Sequence, residues 1–339
     1  MSVLIVHTGT NFGELRTQAA IYPLLTLLAM DAQSAVDLFF VLSGFLITYL
    51  LLAEEERTQT ISVSRFYIRR ILRIWPLYYA IALLGFIVLP LILGPSYEFY
   101  TASPKSVILV MLLLANFVGP LGPLGHLWSI SLEEQFYLVW PWVSRNPQRL
   151  LKVAFGIIIV KLAIAPVIDM LHNDSISALF TGLRFECMAI GAVFAYLYFT
   201  NHASLRILYS RAAQGITVLI IGYLIVFDVP LTIVNTMIAS IAFGILILNV
   251  ATNPNLGVKL ENRITFSLGK ISYGIYMIHF PLLYVIIFLL QKSGLEEGSE
   301  AYKFVLYAAT ILGTLGLAAL SYRWFEGPIL RLKDRFESA

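Results

Sequence analysis

The stretch from Val36 to Leu52, VDLFFVLSGFLITYLLL, ties the chain to a lipid solvent. A run of about 17 such residues is near the length at which a helix crosses a ~30 Å hydrocarbon core. Asp37, Ser43 and Gly44 interrupt it, and at about 100° per residue Asp37, Val41, Gly44 and Thr48 share one side of the helix. A carboxylate turned toward lipid costs about 2.5–3.5 kcal/mol on insertion scales, so Asp37 is expected to face protein or water. Gly and Ser let helices approach closely, so this side serves either packing or substrate.

The same apolar pattern recurs along the chain. Of 339 residues, 59% are hydrophobic and 13% charged, with a mean hydropathy of +0.82. These values exclude an ordinary soluble globule and predict an all-α, polytopic transmembrane helical bundle. Further spans read as Leu77 to Leu93, Leu150 to Leu171, Leu179 to Phe199, Ala212 to Phe227, Leu231 to Val250, Ile271 to Leu290 and Tyr302 to Phe325. Lys161 interrupts one of them and is expected to face the bundle or snorkel. MSVLIVHTG reads as the second half of a helix that ends near His7. The segments Arg65 to Arg73, Arg145 to Lys152, Arg206 to Arg211, Lys259 to Lys270 and Arg331 to Arg335 are all basic, which places them on the cytoplasmic side. Two apolar pieces lie between Lys105 and Val143, and the charge pattern requires that one of them does not cross fully. The count is then about ten spans in the plasma membrane, with both termini cytoplasmic. The net charge of +3 says little, and the single cysteine, Cys187, forbids an internal disulfide. No repeat, linker or polar domain stands out, so residues 1–339 read as one membrane domain.

Two stretches carry chemistry. In SRFYIRRILRIWP, Arg65, Arg69 and Arg73 fall at i, i+4 and i+8, opposite a stripe of Ile68, Ile71, Leu72 and Trp75. This predicts a helix lying at the cytoplasmic interface. Such arginines fix topology and touch anionic lipid, or their guanidinium forks hold a polyphosphate such as a nucleotide or coenzyme A. The other stretch, HLWSISLEEQFYLVWP, sets His126, Ser129, Ser131, Glu133 and Glu134 in apolar surroundings. Charged or irregular backbone at membrane depth is tolerated where it is buried in protein or lines a wet cavity. The two carboxylates serve in chemistry there, or anchor the fold by pairing with Arg184 or another cation. His172 and His202 read as solvated loop residues, whereas His279 lies mid-span and either touches substrate or ties two helices together. No HxxxH or HExxH pair is present, so no metal site is expected.

The blocks DLFFVLSGFLI (Asp37 to Ile47), RFYIRRILRIWPLYY (Arg65 to Tyr79), HLWSISLEEQFYLVWP (His126 to Pro141), LRFECMAIGAVFAYL (Leu183 to Leu197), ISYGIYMIHFPLL (Ile271 to Leu283) and SYRWFEGPILRLK (Ser321 to Lys333) resemble, in order, those of the acyltransferase 3 family of integral-membrane acyltransferases. The resemblance implies transfer of an acyl group, usually acetyl, from cytoplasmic acyl-CoA as co-substrate to a hydroxyl, with no bound cofactor. Acceptors in the family include surface polysaccharide and lipopolysaccharide sugars, nodulation oligosaccharides and macrolides. It further implies a catalytic histidine at His7 and an RxxxR element at Arg69 and Arg73 for acyl-CoA, with Arg65 and Arg70 beside it. The family's arginine eleven residues before that histidine would precede Met1, which points to a truncated N-terminus. No esterase-like extension follows the last span, so a stand-alone form is expected.

The resulting expectation is a base at His7, with Glu133 and Glu134 orienting its ring or binding the sugar. Asp37, Ser43, His126, Tyr137, Arg184, Tyr273 and His279 are expected to line the pocket. A covalent acyl-enzyme through His7 or Ser43 is compatible with this spacing but not required by it. Expected partners are acyl-CoA, a carbohydrate or glycolipid acceptor and membrane lipid, with no nucleic acid. A transporter or exporter of a lipid-linked sugar is the alternative, since intramembrane Arg, Glu and His also describe a carrier.

Overall fold

The computed structural model describes residues 32–94, 103–119, 121–227, 232–256 and 262–332, and among them every regular element is helical. His7 and the half-helix read at the start lie outside the described residues. In chain order the helices are α1 (Ala32–Thr58), α2 (Val63–Leu83), α3 (Pro104–Met111), α4 (Leu127–Ser144), α5 (Pro147–Met170), α6 (Asp174–Gly182), α7 (Phe185–Phe199), α8 (Arg211–Val226), α9 (Ile233–Thr252), α10 (Arg263–Lys292) and α11 (Glu300–Ser321).

Among the described residues, seven stretches are long and apolar enough to cross a membrane: Gln33–Thr58, Val63–Leu93, Pro147–Ile168, Asp174–Phe199, Ile233–Thr252, Arg263–Lys292 and Glu300–Leu330. The protein is thus a multi-pass helical membrane protein with about seven such spans in place of the expected ten. The difference lies in three places: the half-helix is outside the described residues, Arg211–Leu224 is shorter than the others, and α4 is not among the seven. The 8 residues of α3 reach about 12 Å at 1.5 Å per residue, too short to cross, as the charge pattern required of one piece between Lys105 and Val143.

The basic segment is also not a separate interfacial helix. It is the start of α2, which runs through a π-turn at Leu84–Val88 into Leu89–Leu93. Pro76 sits inside α2 rather than at its boundary. Proline removes one backbone bond, but in lipid a helix offers the remaining polar groups their best satisfaction, so it continues.

The described residues form two compact units: 64–94, 103–119, 121–131 and 262–332 make one, 32–63, 132–227 and 232–256 the other. In the second unit α1 lies along α7, and α5 and α9 pack on α7. A Cβ on Gly44 would sit 2.0 Å from the Met188 carbonyl oxygen, and one on Gly191 would sit 2.0 Å from that of Val41. The two backbones therefore touch directly, which assigns Gly44 to packing.

In the first unit α10 packs on α11 through Leu283, Ile286, Leu290, Tyr302 and Leu306. Here α3 stops short, and its last carbonyls need donors. Tyr78 donates to the Val110 carbonyl at 2.9 Å and Tyr79 to that of Met111 at 3.1 Å. Beyond the helix end, the Ala115 N–H donates to Ser131 Oγ at 3.1 Å.

Candidate functional site

The expected site residues fall into separate groups. In the second unit, Asp37 on α1 is fully buried and accepts from Arg184 Nη1 at 3.1 Å. Arg184 occupies the break between α6 and α7, where sequence reading had one unbroken span from Leu179 to Phe199. Its guanidinium also donates to Thr236 Oγ1 at 2.8 Å. Lys161 on α5 reaches the same break, donating to the carbonyls of Phe180 and of Leu183, the latter at 2.6 Å, and lying 3.5 Å from Glu186. The ammonium thus closes the C-terminus of α6, whose last carbonyls have no helical partner. Its charge faces the bundle, one of the two outcomes expected for it. Two cations and two anions balance in this cluster, although Arg184 Nε and Glu186 Oε2 find no hydrogen-bond partner among the described residues. The two carboxylates of α4 take no part in it: Arg184 pairs with Asp37, not with Glu133 or Glu134.

A second buried group joins α1 to α4. Ser43 Oγ donates to Glu133 Oε1, and Tyr137 donates to Ser43 Oγ at 3.0 Å. Glu133 and Tyr137 are four residues apart on α4 and so share a face. One further turn along, Trp140 Nε1 donates to Thr48 Oγ1 at 2.7 Å. Adjacent Glu134 points elsewhere on the helix and is half-buried.

In the first unit a group of imidazole and aromatic side chains surrounds α10. Pro281 lacks an N–H, so the Met277 carbonyl loses its helical partner, and His126 Nε2 lies 3.1 Å from it. A carbonyl only accepts, so His126 carries its proton on Nε2. By the same reasoning His279 carries its proton on Nδ1, 2.6 Å from the Tyr276 carbonyl. His279 Nδ1 thus bonds within its own helix, and His126 ties α10 to the segment before α4. The two imidazoles pack edge to face, 5.5 Å apart. Ser129 shares a hydrogen bond with the Tyr276 hydroxyl, and Tyr273 donates to the Ile74 carbonyl at 2.8 Å.

The arginine row also belongs to this unit. Arg65 and Arg73 are exposed, while Arg69 and Arg70 are half-buried. Arg70 lies over the Phe66 ring at 5.6 Å. Arg73 is within electrostatic reach of buried Glu326, which accepts from Ser321 at 2.8 Å.

Sequence reading missed Thr236, Tyr276, Glu326 and Ser240, whose hydroxyl donates to Cys187 Sγ at 3.2 Å. The signal for Thr236 and Ser240 was their spacing of four, which puts both on one side of α9.

Residues 1–323 match the model of the Acyltransferase domain family, Acyl_transf_3. The chain belongs to this family. Among curated proteins, this Acyl_transf_3 chain is 30% identical to the O-acetyltransferase OatA of Staphylococcus aureus (strain NCTC 8325 / PS 47), covering 87% of this chain and 52% of that protein. It is 26% identical to the peptidoglycan O-acetyltransferase OatA of Listeria monocytogenes, covering 87% of this chain and 50% of that one. The chain therefore spans about half the length of the curated relatives it matches. No solved structure matches the Acyl_transf_3 chain.

Proposed function

We propose that this chain is an integral-membrane O-acyltransferase that moves an acyl group, acetyl in the first instance, from acyl-CoA at the cytoplasmic face to a hydroxyl of a cell-wall glycan or a related lipid-linked sugar. The observation that carries this reading is the arginine row at the start of α2. Its forks are exposed or half-buried and follow one another along one helix face, as a polyphosphate requires. Family membership and the names of the relatives support acetyl transfer to a hydroxyl, and the Listeria relative supports a glycan acceptor.

In this reading Arg69 and Arg73, flanked by Arg65 and Arg70, hold the donor phosphates. His7 takes the proton of the attacking hydroxyl near neutral pH. The set of His126, Tyr273 and His279 positions α10. Membranes carrying the full chain, given radiolabelled acetyl-CoA and glycan acceptor, should move label into the glycan. Replacing Arg69 and Arg73 together by Ala should raise the KM for acetyl-CoA at least about tenfold, because each lost charge-assisted bond is worth about 1.5–3 kcal/mol. Counterflow of a sugar without label transfer would contradict the proposal and favour a carrier.

A further inference from the structure

We infer that Ser43 is an acyl-carrying nucleophile, activated by Glu133 and steadied by Tyr137, so that transfer proceeds in two halves through a serine ester. The inference rests on the acyl-transfer reading above and adds a covalent step to it. Three geometrical facts carry it. The Ser43 hydroxyl donates its proton directly to a carboxylate oxygen, which is the pairing a nucleophile needs with its base. Tyr137 donates to the same Oγ, placing a proton donor where negative charge returns when the ester breaks. Glu133 and Tyr137 are 3% and 5% exposed and Ser43 9%, so the three are buried together and Ser43 is the least buried residue of the set. A purely adhesive serine would serve equally well donating to a backbone carbonyl. Here it is joined to an ionisable group at membrane depth, where such groups are costly and rarely idle.

Depth gives the relay its purpose. At 1.5 Å per residue, Ser43 lies about 15 Å along α1 from Gln33 and about 22 Å from Thr58, well inside the span. An acyl group parked there is shared by a donor and an acceptor that need never meet.

In the first half, Ser43 Oγ attacks the thioester carbonyl and Glu133 takes its proton. The carbon–sulfur bond breaks, the donor leaves as a thiolate that water protonates, and the acyl group remains as an ester on Oγ. In the second half, an acceptor hydroxyl attacks that ester and releases its proton to solvent. The bond from carbon to Oγ breaks, and Ser43 recovers the proton held on Glu133.

The test uses the full chain in a bacterial membrane. Cells fed isotopic acetate are quenched in acid, and the peptide containing Ser43 is weighed. Separately, the protein in nanodiscs is given acetyl-CoA and labelled CoA without acceptor. We expect an acetyl ester on Ser43 and label exchange into acetyl-CoA. S43A should abolish both, and E133Q, which keeps an accepting oxygen but no base, should slow exchange about a hundredfold. S43C should restore part of the transfer while converting the adduct to a thioester cleaved by neutral hydroxylamine. A helix-joining role would not produce that chemical signature. Glycan acetylation retained in S43A, with no acetyl on the wild-type peptide, would overturn the relay and leave the acyltransferase reading intact. A labelled Ser43 peptide from cells with no CoA exchange in nanodiscs would uphold the relay and refute acyl-CoA as donor.

Discussion

Asp37 and Ser43 sit less than two turns apart on α1, yet their surroundings differ in kind. Asp37 meets a fixed cation, and the pair extends through Arg184, Lys161 and Glu186 into a charge-balanced cluster at a helix break. Ser43 meets a carboxylate and a phenol, groups able to take or give a proton along those hydrogen bonds. The first arrangement holds backbone in place, because buried opposite charges resist separation and both lysine contacts at the break are to carbonyls. In the second, the serine oxygen lies between a carboxylate and a phenol. Burial alone therefore does not separate architecture from chemistry in this molecule; the protons available to each group do.

The comparison is best broken by removing one partner from each cluster. The largest effect on stability is expected for Arg184→Ala, which strands the Asp37 carboxylate. A loss of about 3–5 kcal/mol should appear in denaturant melts of the detergent-solubilised protein. Next comes Gly191→Ala, where the added methyl meets the Val41 carbonyl and forces α1 from α7. About 1–3 kcal/mol is expected, and activity should fall only as far as the folded fraction does.

Much of the scaffold was legible because long apolar runs must be helices in lipid: α1, α5, α9, α10 and α11 lie close to where hydropathy and basic loops put them. The break at Leu183 and Arg184 was not legible, since nothing local marks it; it is held open by Lys161, some twenty residues away. That lysine looked like a flaw in a span and is the residue that closes α6. Pro76 misled in the opposite direction, because a proline that ends a soluble helix is accommodated in a membrane one. The candidate site was legible as residue types but not as pairs. Ser43 and Glu133 were both singled out, but their separation of 90 positions hid their bond. Pairing with Arg184 or another cation was one of two roles open to the carboxylates of α4, and the structure pairs Arg184 with Asp37.

The most direct measurement sets two variants side by side, with melting midpoint and acetyl transfer read from the same preparations. Lys161→Met with Glu186→Leu removes the ammonium that closes α6 along with its ion pair and should cost about 2–4 kcal/mol, with transfer falling only as far as the folded fraction does. Ser43→Ala should lose only about 1 kcal/mol of stability and yet drop transfer about a hundredfold or more. Parent-like transfer by Ser43→Ala, or a loss no larger than its loss of folded protein, would contradict the division of labour between the two clusters.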